Sequence, residues 1–158
     1  RKMAIATRVE EYLKQQGVEY DLLAHRVTGS TRESALAAHV GDDHVAKAVV
    51  VRDGSGLAMA VIPGDSWLDM NALNRETGRD FQLDDESDLA DLFPDCAEGA
   101  VPAIGPAYGL ETFLDEALTT LANLYFEAGD HRHLVHVSGE TLKRLLPGVR
   151  HGHFSGQA

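Results

Sequence analysis

A lysine in the middle of an apolar run is the residue that most invites chemistry. Lys47 interrupts Val45-Ala46-Lys47-Ala48-Val49-Val50-Val51, and strand alternation sets it on the same face as Val45, Val49 and Val51. A lysine among apolar neighbours must bring its ammonium to water or to an anion. Two readings stay open. One is an edge-strand lysine whose charge blocks edge-to-edge pairing; the other is a cation held in a pocket for a phosphate or carboxylate. With a reference pKa of ~10.4, such a group serves as a fixed charge rather than a general base.

A second candidate is the loop Gly99-Ala100-Val101-Pro102-Ala103-Ile104-Gly105. Glycines let backbone N–H groups approach a ligand, where they can polarise a carbonyl or hold an oxyanion; the competing reading is a plain connection. His131, His133 and His136 form a third cluster. Alternation splits them between two strand faces, which suits structural or solvated histidines better than a shared metal. His151 and His153 fall in a polar tail and read the same way. No GxSxG elbow surrounds a serine and no GxxxxGK[ST] phosphate loop occurs, so a hydrolase triad and a P-loop lack support. Cys96 lies between Asp95 and Ala97-Glu98, an anionic setting that raises a thiol pKa and makes a poor nucleophile.

The elements that must position these residues follow from periodicity and punctuation. Thr7 to Glu10 and Ser30 to Glu33 both fit capping boxes opening helices, the first stopped by Gly17, the second running toward His39. Residues 18–23 alternate as a short strand. Val45 to Val51 and Leu57 to Ile62 form a hairpin about Asp53-Gly54-Ser55-Gly56. Trp67 to Thr77 reads as a helix, with Trp67, Met70 and Phe93 as core. Phe81 to Leu83 suggests a short strand, and a small acidic helix carries Leu89 and Leu92. Leu110–Leu114, Leu124–Glu127 and Leu134–Val137 are further strands, and Ser138 caps a last helix ending at Pro147-Gly148. Hairpin-like connections among interleaved helices and strands favour an α+β domain with a mixed sheet over a doubly wound one. The polar, glycine-rich chain beyond Arg150 reads as frayed.

The 158 residues suit one domain, no run approaches a membrane span, and the single cysteine fits a reducing, cytoplasmic setting. Met3 reads as the natural start. The net charge of −11 is uneven: −1 over residues 1–79, −13 over 80–131 and +3 over 132–158. An acidic protein is a poor general binder of nucleic acid, so an anionic partner must use the first half and the C-terminal segment. The acidic middle reads as solvated surface.

Taken in order, Ala46 to Val51, the hairpin return Val61-Ile62-Pro63-Gly64-Asp65, the Gly99–Gly105 loop and Tyr125 to Asp130 resemble the YbaK / prolyl-tRNA-synthetase-associated (ProX-type) editing domains. The resemblance runs from about Arg8 to Leu146. It implies a mixed, mostly antiparallel, partly barrel-like sheet flanked by helices over residues 8–150, with a lead at 1–7 and a flexible tail at 151–158. It also implies a trans-editing aminoacyl-tRNA deacylase that hydrolyses the ester of a mischarged tRNA, such as tRNA-Pro bearing alanine or another small residue. No metal or cofactor is expected. The acceptor end of the tRNA is the partner, a synthetase a second one, with no role for DNA or a membrane.

By the same resemblance, Lys47 holds the terminal nucleotide. Gly99, Ala100, Val101 and Pro102 position carbonyl and water, with the substrate's own ribose hydroxyl activating that water. Ser30, Thr31, Ala103, Gly105, Asp115, Gly129 and His131 line the substrate site, and Arg32, Arg52, Lys143 or Arg144 help meet the tRNA charge. The family's Gly-X-X-X-Pro pattern is altered here, because the fourth residue after Gly99 is Ala103 and Pro102 falls one place early. That change motivates a competing reading, a silent relative that binds tRNA, a synthetase or a small anion. A metal hydrolase built on the histidines is a third.

Overall fold

The computed structural model describes residues 5–26, 28, 30–84, 89–97 and 99–157. Met3, Glu98 and the side chain of Arg32, all named above, lie outside the described residues. The hairpin predicted from the valine-rich run forms its centre: β2 (Val45–Asp53) pairs antiparallel with β3 (Gly56–Pro63) in one unbroken register from Ala46↔Pro63 to Asp53↔Gly56. Asp53 Oδ1 accepts the Ser55 N–H at 2.9 Å and tightens the turn.

Around that hairpin the chain lays down α1 (Thr7–Gln16), β1 (Asp21–Ala24), α2 (Thr31–Ala37), β4 (Ser66–Leu68), α3 (Met70–Thr77), β5 (Gln82–Leu83), α4 (Leu89–Leu92), β6 (Glu111–Asp115), β7 (Leu124–Glu127), β8 (His133–Val137), α5 (Gly139–Leu145), β9 (Arg150–Gly152) and β10 (Ser155–Gln157). The main sheet runs β1-β8-β7-β2-β3-β6-β9, with β5 beside β2, while β10 and β4 form a second, two-stranded sheet. β2–β7, β3–β6 and β6–β9 are parallel and the other main-sheet pairs antiparallel. The domain is α+β with a mixed sheet and flanking helices, as expected.

Alternation along β2 and β3 divides the core between two faces. Ala46, Val50, Met59 and Val61 pack with Val9 and Leu13 of α1, Leu142 and Leu145 of α5, and Ala103 and Ile104 of the loop. Val51, Ala58, Ala60 and Ile62 pack on the other side with Ala72 and Leu73 of α3, Phe81, Phe113 and Phe154. Lys47 shares the parity of Val49 and Val51, so it stands on the α3 side. β2 has β7 on one flank and β3 on the other, which removes the edge-strand reading of Lys47.

Several expectations are corrected. Thr7 starts α1 without capping it. Ala6 occupies the cap position, its N–H bonds Ala128 O at 2.8 Å, and Asp95 Oδ2 accepts the Arg8 N–H at 3.0 Å. A remote carboxylate thus satisfies the helix end. The first strand starts at Asp21 rather than Val18. Trp67 lies on β4, not in a helix or the core. It is 52% exposed, and its ring lies where any Gly156 side chain would go. The chain beyond Arg150 is not frayed, because β9 joins β6 and β10 joins β4. Phe154, 2% exposed, anchors this segment, and its N–H reaches Asp115 Oδ2 at 3.0 Å. One buried aromatic outweighed the polar composition around it. The caps at Ser30 and Ser138 form as expected, accepting from the N–H groups of Glu33 and Thr141.

Phe154→Ala empties a filled site beneath the sheet and is expected to cost about 3 kcal/mol. Urea denaturation reads that loss. A change below ~0.5 kcal/mol would mean that the last strands contribute nothing to the fold.

Candidate active site

The parallel register pairs Val45 with Tyr125 and Ala46 with Phe126, so Lys47 and Glu127, each next in its strand, turn to the face opposite the buried Ala46 and Phe126. The Lys47 side chain is half-buried, and its Nζ donates to Ser66 O at 2.8 Å. The ammonium is therefore held at the junction of β2, β4 and the end of β7 rather than swinging in solvent.

Glu127 is 1% exposed. Neither of its carboxylate oxygens has a hydrogen-bond partner among the described residues, and Oε2 lies 3.7 Å from His131 Nδ1. Burial pushes its carboxyl up to about 7, against the opposing pull of His131 and of the Ser34 and Thr31 hydroxyls. Those hydroxyls come from the first turns of α2, where Ser34 is fully buried and its Oγ meets Thr28 Oγ1 at 2.7 Å. Ser30 Oγ is engaged as the helix cap.

The turn after β7 fixes the histidine. Asp130 Oδ1 accepts the N–H groups of Arg132 (2.9 Å) and His133 (3.0 Å), and Oδ2 lies 2.8 Å from His133 Nδ1. His131 sits in this turn rather than on the strand, at φ 57°, a left-handed conformation uncommon for a side-chain-bearing residue. Gly129, at φ 106°, could carry no side chain: a Cβ would stand 2.7 Å from Ala6 Cβ and 3.3 Å from Cys96 Sγ.

The glycine-rich loop joins the same turn, since the Ala97 N–H donates to Gly129 O at 2.7 Å. Gly99 is exposed at φ 80° and Val101 half-buried, while Ala100, Pro102, Ala103 and Gly105 are buried. Ala103 packs in the core with α1. Gly105 is boxed in by Thr112 Oγ1, Leu110 O and Met59 Cβ, a close-packing role. Asp115 accepts from the Ala117 and Phe154 N–H groups and so ties the chain's end to the sheet.

Thr31 and His131 thus meet Glu127 at the end of β7, Gly129 of the same turn meets Ala97 just before the loop, and Lys47 follows the last paired position of β2 beside β7. Ala103, Gly105 and Asp115 are left in packing positions. Two of the expected helper cations, Arg52 and Lys143, are elsewhere. Arg52, five residues and about 17 Å further along β2, pairs with Asp84. Lys143 pairs with Glu140 on α5, which packs on the opposite sheet face. Glu127 is the residue that sequence reasoning missed. Its signal was an acid closing the strand Leu124-Tyr125-Phe126, in a motif already noted for other reasons.

The remaining candidates resolve into local chemistry. Burial, with Asp95 beside it, pushes the Cys96 thiol up to about 12, so it stays protonated. His136 stacks on Tyr125 and meets Asn123 Oδ1 at 2.8 Å, and His151 faces Glu116 at 3.5 Å. Among the described residues no three His, Cys, Asp or Glu side chains are grouped to hold a metal. No helix among them is long and apolar enough to cross a membrane.

A family model for the aminoacyl-tRNA editing domain matches residues 25–145. Among solved structures, hypothetical protein APE2540 superposes with a TM-score of 0.82 at 25% identity, over 94% of this chain and 99% of that one. A candidate trans-editing enzyme for prolyl tRNA synthetase gives a TM-score of 0.82 at 22% identity, over 98% of each chain. A candidate signal transduction protein from Marinobacter aquaeolei VT8 matches with a TM-score of 0.76 at 18% identity, over 94% of this chain and 30% of its own. The fold therefore also occurs as part of a longer chain. No curated protein sequence matches.

Because the folded Glu127 holds its proton up to about pH 7 and the unfolded one releases it near ~4.3, folding binds a proton in that window. Stability contributed by this group therefore falls as pH rises through it. Glu127→Gln is expected to flatten that decline and to gain on the wild type above pH 7 in denaturation measured at pH 5 and pH 8. An unchanged slope would show that the carboxyl titrates alike in both states.

Proposed function

Since the chain belongs to the aminoacyl-tRNA editing domain family, we propose that it is a deacylase that acts in trans on mischarged tRNA, with tRNA-Pro bearing alanine or another small residue as substrate. What supports this reading is the family match itself, within which lie the lysine held on Ser66 O, the histidine in left-handed backbone and the turn that meets the start of the glycine-rich loop.

The chemistry asked of the site is modest. Water adds to the ester carbonyl carbon and the bond from that carbon to the ribose oxygen breaks. A proton passes to the ribose oxygen, leaving free amino acid and tRNA. An aminoacyl ester is already activated, so the protein's task is to orient water and stabilise the developing oxyanion. In this reading Lys47 meets the negative charge of the terminal nucleotide, the Gly99, Ala100 and Val101 backbone faces the carbonyl, and Pro102 stiffens the bend. His131 contacts the ribose and the attacking water. No metal is required by this chemistry. Selection rests on size, since one methylene is worth only ~1–3 kcal/mol. Charged tRNA places the activity in the cytoplasm, with a synthetase as the source of the mischarged substrate.

A panel of aminoacyl-tRNAs tests this. The wild type is expected to hydrolyse esters of small residues, alanine on tRNA-Pro among them, with EDTA having no effect. Lys47→Ala is expected to lower kcat/KM about 100-fold, the scale of a lost contact to a charged group at ~1.5–3 kcal/mol. Full activity in that variant would remove Lys47 from the site. Tight tRNA binding without turnover of any ester would favour the silent relative that Ala103 suggests.

A further inference from the structure

The glycine-rich loop receives little stiffness from its own composition. Of the residues from Gly99 to Gly105, only Pro102 has a locked φ, and both ends are glycines. Ala100, Ala103 and Ile104 are fully buried and anchor its middle. The tie between its two ends lies outside the stretch itself. Asp95, before the loop, accepts the Tyr108 O–H on Oδ1 at 3.0 Å, and Tyr108 closes the short helical turn Gly105–Tyr108 that follows it. The Cys96 thiol lies in the same bridge, 3.3 Å from Tyr108 Oη and 3.5 Å from Asp95 Oδ1. The other oxygen, Oδ2, accepts the Arg8 N–H of α1 at 3.0 Å. One carboxylate therefore ties both flanks of the loop to each other and to a helix end.

Packing does not require this bridge. The Tyr108 ring meets Phe93 edge-on at 4.6 Å, and the Arg8 guanidinium lies over it at 5.4 Å. A phenylalanine would keep both ring contacts and spare the desolvation of a hydroxyl. Burial pushes the Tyr108 hydroxyl well up and the Cys96 thiol to about 12, so both keep their protons beside the acceptor. A satisfied polar cluster of this kind supplies rigidity and a single arrangement.

We propose that Tyr108 is a positioning residue: its hydrogen bond to Asp95 clasps the base of the loop, so that the backbone of Gly99, Ala100 and Val101 holds one arrangement toward the scissile carbonyl. Closing a segment at its base removes the arrangements that its free ends would sample. The same base is anchored on the turn after β7, because the Ala97 N–H donates to Gly129 O at 2.7 Å. The proposal rests on the deacylase reading above for its substrate, though not for the ordering of the loop.

Tyr108→Phe removes the hydroxyl alone, and Tyr12→Phe is its control. Tyr12 donates the same group to Leu145 O at 2.6 Å, where α1 meets α5. Hydrolysis of alanyl-tRNA, urea denaturation and amide hydrogen exchange are measured on the full chain of each variant. Tyr108→Phe is expected to lower kcat about 10-fold with KM within about two-fold, short of the ~100-fold that a full ångström of misplacement costs. The Ala100 and Ala107 amides donate within the loop and the turn after it. Relative to the amides of β2 and β3, they are expected to exchange about 10-fold faster in Tyr108→Phe. Tyr12→Phe is expected to lower the urea midpoint at least as far, yet to keep the wild-type kcat and exchange ratio. Wild-type kcat in Tyr108→Phe, an equal loss of kcat in Tyr12→Phe, or an unchanged exchange ratio would each overturn the proposal. If the wild type hydrolyses no ester, the deacylase reading fails and the exchange ratio alone decides whether the clasp orders the loop.

Discussion

Everything at the site depends on the short parallel contact between β7 and β2. Only Val45↔Tyr125 and Ala46↔Phe126 are paired, yet that register decides which residues meet. Ala46 and Phe126 are sunk into the core shared with α1 and α5, at 1% and 0% exposure. Their next neighbours, Lys47 and Glu127, must then turn to the other face. A slip of one residue would drive both charges into the apolar side and expose Phe126, a change no hydrophobic core tolerates. The two charged residues are thus placed by the packing of the residues beside them.

That arrangement explains why charge appears where the fold gains least from it. β2 and β7 could be apolar throughout, and the sheet would be more stable for it. The departures cluster instead: a lysine on an interior strand, a buried carboxyl group, a histidine in left-handed backbone, and a glycine with no room for a Cβ. Concentrated local cost of this kind is the usual mark of a place selected for function rather than for stability.

Periodicity made much of the fold legible. The β2–β3 hairpin, the face of Lys47 and the caps at Ser30 and Ser138 all follow from two-residue alternation or short-range hydrogen bonding, which sequence encodes directly. What it concealed was non-local. The N-terminus of α1 is satisfied by Asp95, a residue 87 positions away, so Thr7 had no capping work to do. Trp67 took a strand because β10 arrives from the far end of the chain to pair with it. The tail's order comes from Phe154 and from the pairing of β9 and β10 with β6 and β4. At the site the same division holds. Lys47 was visible because an isolated charge breaks an apolar pattern. Glu127 was not, because an acid at a strand's end looks solvated until α2 and the turn close over it. The roles of Gly105 and Asp115 were hidden for the same reason, since Thr112 and Phe154 reach them through tertiary contact.

The acidity of the chain then constrains how it can meet a polyanion. Arg52, Arg79 and Lys143 are already drawn into pairs with Asp84, with Asp53 and Glu111, and with Glu140, so much of the basic complement is neutralised within the protein. Residues 80–131 add thirteen acids and no lysine or arginine, a balance that disfavours phosphates tracking along this part of the chain. Affinity built from many phosphate contacts is therefore closed to this fold. What remains open is the grip proposed above on the tip of the nucleic acid, in which one cation and a few backbone N–H groups would meet a terminal nucleotide and its ester. Such a contact releases few counterions, and its dependence on salt is correspondingly shallow. The overall charge is thus consistent with the proposed function, in which an RNA end rather than a helix meets the protein.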